Sequence, residues 1–142
     1  MRSNRSMPGG TVIPELAYPE VAEAAVWLCE AFGFTVRLAI ADHRIQLNVG
    51  DGAVVLTRLA NDVSLEAVVS GHAVMVRVED TDAHHARARQ AGAVIIGPPA
   101  DFPYGERQYT VADLVGRRWT FSQSIADVAP EEWGGMSGEF WG

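Results

Sequence analysis

The sequence predicts an α+β fold of two paired βαβββ modules, which form a curved mixed sheet with a concave cavity and the helices on the convex side. Three observations predict this fold: a weak internal repeat with a period near sixty residues, a glycine-ended helix in each half, and strand-like segments after each helix. The two helix-ending glycines are Gly33 and Gly92. Since about sixty residues bury little core alone, the two halves must pair. Paired curved sheets leave a concave face that binds a small ligand or is filled by side chains.

The first module is expected over residues 11–59. It opens with an extended run, Thr11–Tyr18, and continues with a helix from Glu20 to Phe32. The helix is predicted because four apolar residues line one stripe at helical spacing: Val21, Ala25, Leu28 and Phe32. Three strands are expected next, with a tight hairpin at Asp51-Gly52 between the last two. The strands cover residues 34–41, 44–49 and 53–59.

The second module is expected over residues 72–124, after a linker at 60–71. A strand from His72 to Val78 leads to a helix that Asp80 or Asp82 caps and that stops before Gly92. A strand over 93–97 closes at Gly97-Pro98-Pro99, and a hairpin joins 107–112 to 117–122. Outside the modules, residues 1–10 are expected to be disordered. Residues 125–142 form a tail with exposed aromatics, among them Trp133 and Trp141. Such a tail packs on its own domain or on a partner subunit, and we expect it to lose exposure in a homodimer.

Composition excludes several classes of function. The chain has 142 residues, 48% of them hydrophobic and 20% charged, as in a folded globular protein. Its net charge is −7, and every basic residue is an arginine. An acidic chain of this kind argues against binding to nucleic acid or to an anionic membrane. The single cysteine, Cys29, forms no internal disulfide and fits a cytoplasmic protein.

Short motifs in both halves resemble a known family. They are Pro14–Tyr18, the helix end Ala31–Phe34, and the segment Tyr104–Asp113 with Gly116 and Trp119. Together they resemble the glyoxalase/bleomycin resistance protein/dioxygenase family of the vicinal oxygen chelate superfamily, over roughly Val12–Ser124. The resemblance implies the paired βαβββ architecture and a dimer. For an enzyme of this superfamily, the resemblance also implies a divalent metal held by His, Glu or Gln side chains.

The implied metal ligands are mostly missing from this sequence. His72 matches the ligand position on the first strand of the second module. The other matching positions hold Ile13, Thr120, and Leu56 or Thr57, which are not metal ligands of this kind. One imidazole does not hold a catalytic divalent ion, so we expect no metal site and no metal cofactor. His72 is then a strand-end histidine or a ligand-binding residue.

A second group of residues suggests a binding wall instead. Tyr104, Arg107, Tyr109 and Arg118 concentrate phenols and guanidinium groups on one hairpin. Strand alternation puts Arg107 with Tyr109, and Arg118 with Thr120. We therefore expect a ligand to contact a set of six residues: His72, Tyr104, Arg107, Tyr109, Arg118 and Thr120. Structural pairing of Arg107 with Asp113 or Glu106 is the alternative. The adjacent His84 and His85 are expected on a solvated helix face.

Three functions remain open from these residues. The first is metal-free binding or sequestration of a small aromatic or conjugated molecule, as the bleomycin-resistance branch implies. The second is a metal-dependent lyase, isomerase or dioxygenase of the same superfamily, and the third is a structural dimer with a filled cavity. The charge of the ligand also stays open. The acidic chain suits a cation, whereas arginines beside aromatics suit an anionic or neutral aromatic molecule.

Overall fold

The computed structural model describes residues 2–138, which form two modules of the same plan. The first module consists of β1 (Glu15–Tyr18), α1 (Val21–Phe32), β2 (Thr35–Ile40), β3 (Arg44–Val49) and β4 (Gly52–Arg58). Helix α1 ends as predicted at Gly33, whose φ of 78° is the left-handed conformation that glycine adopts easily. The hairpin between β3 and β4 lies at Gly50-Asp51.

The second module follows a short extra helix. Helix α2 (Leu65–Ser70) interrupts the linker, and its N-terminus is capped by the Ser64 side chain. The module then consists of β5 (Ala73–Arg77), α3 (Thr81–Gln90), β6 (Val94–Phe102), β7 (Glu106–Ala112) and β8 (Arg118–Ser124). Asp80 caps α3, because its Oδ1 accepts a hydrogen bond of 3.0 Å from the Ala83 amide.

Each module contains one mixed four-stranded sheet. The strand orders are β1-β4-β3-β2 and β5-β8-β7-β6, with the first pair parallel and the others antiparallel in each sheet. Helices α1 and α3 contact each other, and each packs on its own sheet. The predicted α+β fold of two βαβββ modules is therefore confirmed.

Aromatic side chains from both modules pack together in one core. Phe32 and Phe34, at the end of α1, pack against Trp119 and Phe121 of β8 with ring centroids 4.8–6.5 Å apart. All four residues are buried. Burying large aromatics from both halves in one cluster makes the stability of each module depend on the other.

Strand β6 is longer than the sequence predicts. The sequence predicts that it closes at Gly97-Pro98-Pro99, but the strand continues through both prolines to Phe102. The strand lies at the edge of its sheet, where the ladder is irregular between Ile95 and Ala100. An edge strand tolerates prolines because one side of its backbone needs no partner strand.

The two terminal segments contact the sheets. Residues before β1 cross the first sheet, where the Ser6 carbonyl accepts a hydrogen bond from the Gln46 side chain. After β8, the chain passes Gly105 and forms a 3-10 helix, Pro130–Trp133. The remaining tail aromatics, Phe140 and Trp141, lie outside the described residues. Among residues 2–138, no helix is both long and apolar enough to cross a membrane.

Candidate functional site

The second sheet has one face covered by α3 and an opposite face, which we call the open face. The pairing registers align alternate residues of β5, β6, β7 and β8 on this open face. Three of its apolar side chains are strongly exposed: Met75 (65%), Val94 (65%) and Phe102 (40%). Met75 lies on one edge strand, β5, and Val94 and Phe102 lie at the two ends of the other, β6, so these apolar side chains border the face.

A row of hydrogen-bonded polar side chains runs across the middle of the open face. Tyr104 donates to Gln108 Oε1 (3.0 Å), Gln108 donates to Ser122 Oγ (3.0 Å), and Ser122 donates to Glu106 (2.7 Å). Thr110 and Thr120 bond to each other at 3.2 Å in the same sheet. Each member is fixed by its neighbour. Gln108 and Ser122 are buried, so the partly exposed members of the row are Tyr104, Glu106, Thr110 and Thr120.

The carboxylate of Glu106 stays ionised at this row. Hydrogen bonds from Ser124 and Ser122 lower the pKa of Glu106, and the positive charge of Arg77 adds to the effect. A cavity of about 230 Å³ lies beside it, lined by Met75, Arg77, Glu106 and Ser122. The open face therefore offers both an acidic and a basic group to a ligand.

Three aromatic rings border the row at the β6–β7 turn, and we call them the aromatic edge. Phe102 stacks on Tyr104 with centroids 5.6 Å apart, and Trp133 lies against the same tyrosine at 5.0 Å. Trp133 is 45% exposed. Partly exposed rings beside fixed polar groups can stack on a planar molecule and orient it.

Arg107 and Tyr109 do not lie on the open face. Arg107 is held by Asp82 of α3 (3.0 Å) and Asp101 of β6 (2.9 Å). Tyr109 is 1% exposed and lies beneath α3, where its hydroxyl meets His84 Nδ1. The expectation that these two residues share a wall with Thr120 is wrong, because odd and even positions of β7 point to opposite faces. The alternative pairing of Arg107 with Asp113 or Glu106 is also wrong.

His84 is a structural residue. The prediction that it lies on a solvated helix face is wrong. His84 Nε2 donates a hydrogen bond to the Phe32 carbonyl (2.9 Å). Because a neutral imidazole carries only one N–H, its Nδ1 then accepts a hydrogen bond from the Tyr109 hydroxyl. Burial lowers the pKa of His84, and the nearby Arg87 lowers it further, which outweighs the opposite effect of the Phe32 carbonyl. Burial raises the pKa of Tyr109. The imidazole therefore fastens α3 to the end of α1 in its neutral form.

His72 lies apart from the polar row, at the junction of the modules. Arg117 donates from Nη1 to His72 Nε2 (3.0 Å) and from Nη2 to the Ala17 carbonyl (2.6 Å). His72 and Arg118 line a separate cavity of about 430 Å³ beside α2. Of the six expected site residues, the open face thus brings together Tyr104 and Thr120, with Arg118 at its end.

The donor set does not fit a metal centre like that of the superfamily's enzymes. Within residues 2–138, no three His, Cys, Asp or Glu side chains are placed to share an ion. Adjacent positions of β5 and β8 on the open face hold Met75 and Thr120. A thioether and a neutral hydroxyl are poor ligands for a catalytic divalent ion.

Several residues of the open face were missed from the sequence. They are Met75, Arg77, Glu106, Gln108, Ser122 and Trp133. Strand alternation by itself groups Glu106 with Gln108 on β7, and Thr120 with Ser122 on β8. The sequence does not show which of the two faces of the second sheet α3 covers. Trp133 had no local signal, because it reaches Tyr104 only through the path of the chain after β8.

Comparisons with known proteins identify the same architecture. The family model "Glyoxalase/Bleomycin resistance protein/Dioxygenase superfamily" matches residues 12–121. No curated protein sequence shows a significant match. Among solved structures, TioX from Micromonospora sp. ML1 is 36% identical, with a TM-score of 0.67, over 84% of this chain and 100% of that chain.

Two more distant structures share the fold. A glyoxalase/bleomycin resistance protein/dioxygenase from Nocardioides is 19% identical, with a TM-score of 0.64, over 91% of this chain and 89% of that chain. One from Alicyclobacillus acidocaldarius is 14% identical, with a TM-score of 0.65, over 84% of this chain and 95% of that chain. The family match covers most of the chain, and the fold agrees with it. This chain therefore belongs to the glyoxalase/bleomycin resistance protein/dioxygenase superfamily.

Proposed function

We propose that this protein binds a small aromatic or conjugated molecule on the open face of the second sheet, without a metal. The observation that carries the proposal is the aromatic edge of Phe102, Tyr104 and Trp133 beside a fixed polar row. Stacking on these rings supplies affinity, and the partly exposed hydroxyl groups of Thr110 and Thr120 supply hydrogen bonds that orient the ligand.

The chemistry of the face supports binding over metal-dependent turnover. Among residues 2–138, no cluster of metal-ligating side chains accompanies the open face. Its polar groups already satisfy one another through hydrogen bonds, and exposed apolar side chains flank them. An apolar surface with a few fixed polar groups is typical of a small-molecule site.

Two probes of opposite charge test which ligand charge the open face prefers. Arg107 is paired with two aspartates on the other face, so the basic wall expected from the sequence does not support an anionic ligand. Glu106 and Arg77 provide one charge of each sign on the open face. Proflavine, a planar cation, and anthracene-2-carboxylate, a planar anion, test which charge is preferred.

Titration of both probes against tryptophan fluorescence tests the proposal. We expect saturable binding of at least one probe, unchanged by a chelator. Trp133→Ala and Tyr104→Ala should each weaken binding about tenfold, since an aromatic contact contributes about 0.5–1.5 kcal/mol beyond its buried area. Ile40→Ala is the matched control, because Ile40 is an exposed apolar residue of the first sheet.

Three results would contradict the proposal. The first is the absence of saturable binding by either probe, and the second is an equal loss of binding in the Ile40→Ala control. The third is a stoichiometric divalent ion in protein purified without added metal, which would favour the metal-dependent lyase, isomerase or dioxygenase. Elemental analysis of the purified protein distinguishes these functions.

A further inference from the structure

The outer face of the first sheet, opposite α1, is covered by the chain's own residues 2–10. Gln46 on this face is 3% exposed, and Val55 beside it is 1% exposed. Pro8 is buried, although its neighbours in the segment are exposed. The segment therefore occupies the surface that corresponds to the open face of the second sheet.

The sheet holds this segment through its backbone carbonyls. Arg37 Nη2 donates to the carbonyls of Arg5 (3.0 Å) and Met7 (2.9 Å). Gln46 donates to the carbonyl between them, that of Ser6, at 3.0 Å. Three successive carbonyls are thus bound by two side chains, and none of these bonds depends on the identity of the bound residue.

The two side chains form a preorganised pair. Arg37 Nη1 donates to Gln46 Oε1, which fixes both groups relative to each other. Arg37 is half-buried, and no carboxylate of residues 2–138 lies within ion-pair distance of it. A guanidinium without a carboxylate partner keeps its donors for carbonyl oxygens.

The segment is held loosely apart from these bonds. A cavity of about 680 Å³ lies along it, lined by residues 2–5, 7–10, 13 and 37. Incomplete packing along the segment favours its release.

We propose that the outer face of the first sheet is a binding site for a turn of peptide backbone, built from Arg37 and Gln46, and that residues 2–10, which turn at Asn4–Met7, occupy it in cis. The ligand class is a peptide that presents three successive carbonyls. Release of the segment uncovers Gln46 and Val55 and opens a second binding face. This site is independent of the small-molecule site proposed above.

Limited trypsin digestion of the full chain tests the occupancy. The bond after Arg5 is protected while the adjacent carbonyls are held. Arg37→Ala should speed cleavage after Arg5 at least about tenfold, since it removes two charge-assisted hydrogen bonds. Arg58→Ala is the matched control, because Arg58 is an exposed arginine of β4 that contacts Asp42 instead. Mass spectrometry separates this cleavage from cleavage after Arg89, which reports global unfolding and should not change.

A labelled peptide with the sequence of residues 2–10 tests the site itself. In the full chain, Met7→Gly combined with Pro8→Gly weakens docking of the segment by increasing its conformational freedom. Fluorescence anisotropy should then show the peptide binding at least about tenfold more tightly than to the unsubstituted chain. Adding Arg37→Ala should remove this gain. Equal peptide binding to all three chains, or equal cleavage after Arg5 in the Arg37→Ala and Arg58→Ala variants, would overturn the proposal.

Discussion

At the scale of single residues, Gly105 allows the chain after β8 to pass close to the β6–β7 turn. It lies in the β6–β7 turn with a φ of 84°, and an added Cβ would collide with the Ala126 carbonyl oxygen. The Gly105 carbonyl accepts a hydrogen bond of 2.8 Å from the Ile125 amide. This close passage of two backbones leads the chain towards Trp133 and its contact with Tyr104.

We predict that Gly105→Ala lowers the free energy of unfolding by about 2–5 kcal/mol, through left-handed strain and the collision with Ala126. Gly92→Ala is the control, because Gly92 has a φ of 86° but nothing within 4 Å of an added Cβ. It should cost only the strain, about 1–2 kcal/mol. Denaturant titration of both variants measures the difference, and equal losses would contradict the close approach.

His84 predicts a pH dependence of stability. Its pKa is lowered in the folded chain, so the unfolded chain takes up a proton first as the pH falls through about 6.5. Stability is therefore present above this pH and is lost below it. We expect the free energy of unfolding to fall between about pH 7.5 and about pH 5.5, and His84→Gln to reduce that fall. His85→Gln should keep the wild-type fall, and loss of the pH response in that variant instead would contradict the assignment.

At the scale of elements, the two long helices begin differently. Asp80 caps α3 by accepting a hydrogen bond from the Ala83 amide. Glu20, at the same position of α1, makes no side-chain cap. Helix α1 contributes six buried residues to the core, whereas α3 buries only Thr81 and Ala88. The stability of α3 therefore depends more on its cap than that of α1 does.

We predict that Asp80→Ala destabilises the protein by about 1 kcal/mol, since it leaves an amide of the first turn without its partner. Glu20→Ala should change the free energy of unfolding by less than about 0.5 kcal/mol. Thermal or denaturant unfolding of the two variants measures this. A loss in Glu20→Ala as large as that in Asp80→Ala would show that the caps do not distinguish the helices.

The elements were largely predictable because their signals are local. Gly33 ends α1, Asp80 begins α3, and β3 has the predicted bounds of Arg44–Val49. Helix α2 was missed, since a six-residue helix with no buried residue leaves little periodicity. The extension of β6 through its prolines was missed because it depends on the edge position of the strand, which is a property of the sheet.

The candidate site was less predictable because it depends on which face is covered. The alternation of Arg107 and Tyr109 is correct, but α3 covers their side of the sheet. A wrong choice of face exchanges every side chain of a strand between core and surface. Burial of Tyr109 by His84 connects residues that are far apart in sequence, and no local pattern contains that information.

At the scale of the whole molecule, the described tail packs within its own chain, through Trp133 and Tyr104. The homodimer stays a prediction. We expect light scattering at micromolar concentration to give twice the chain mass of 15.3 kDa. A monomer at that concentration would contradict it.

The two modules are joined by a buried polar cluster as well as by aromatic packing. Tyr18 of β1 donates to Asp113 Oδ2 at 2.6 Å, and the Trp119 indole donates to the same oxygen at 3.0 Å. The Arg117 guanidinium lies over the Tyr18 ring, 4.9 Å from its centroid. Burial, together with the negative charge of Asp113, raises the pKa of Tyr18, so its hydroxyl stays a donor at all ordinary pH values. The carboxylate of Asp113 therefore links the first module to the second.

We predict that Tyr18→Phe lowers the free energy of unfolding by about 1.5–3 kcal/mol, because the buried carboxylate of Asp113 loses a charge-assisted hydrogen bond. Tyr104→Phe is the matched control. It removes a hydroxyl that donates to the neutral Gln108 side chain on the open face, and it should cost about 0.5–1.5 kcal/mol. Since the cluster spans both modules, Tyr18→Phe should lower a single cooperative transition without dividing it in two. Denaturant unfolding followed by tryptophan fluorescence and by circular dichroism measures this, and separate midpoints for the two signals would show that the modules unfold independently.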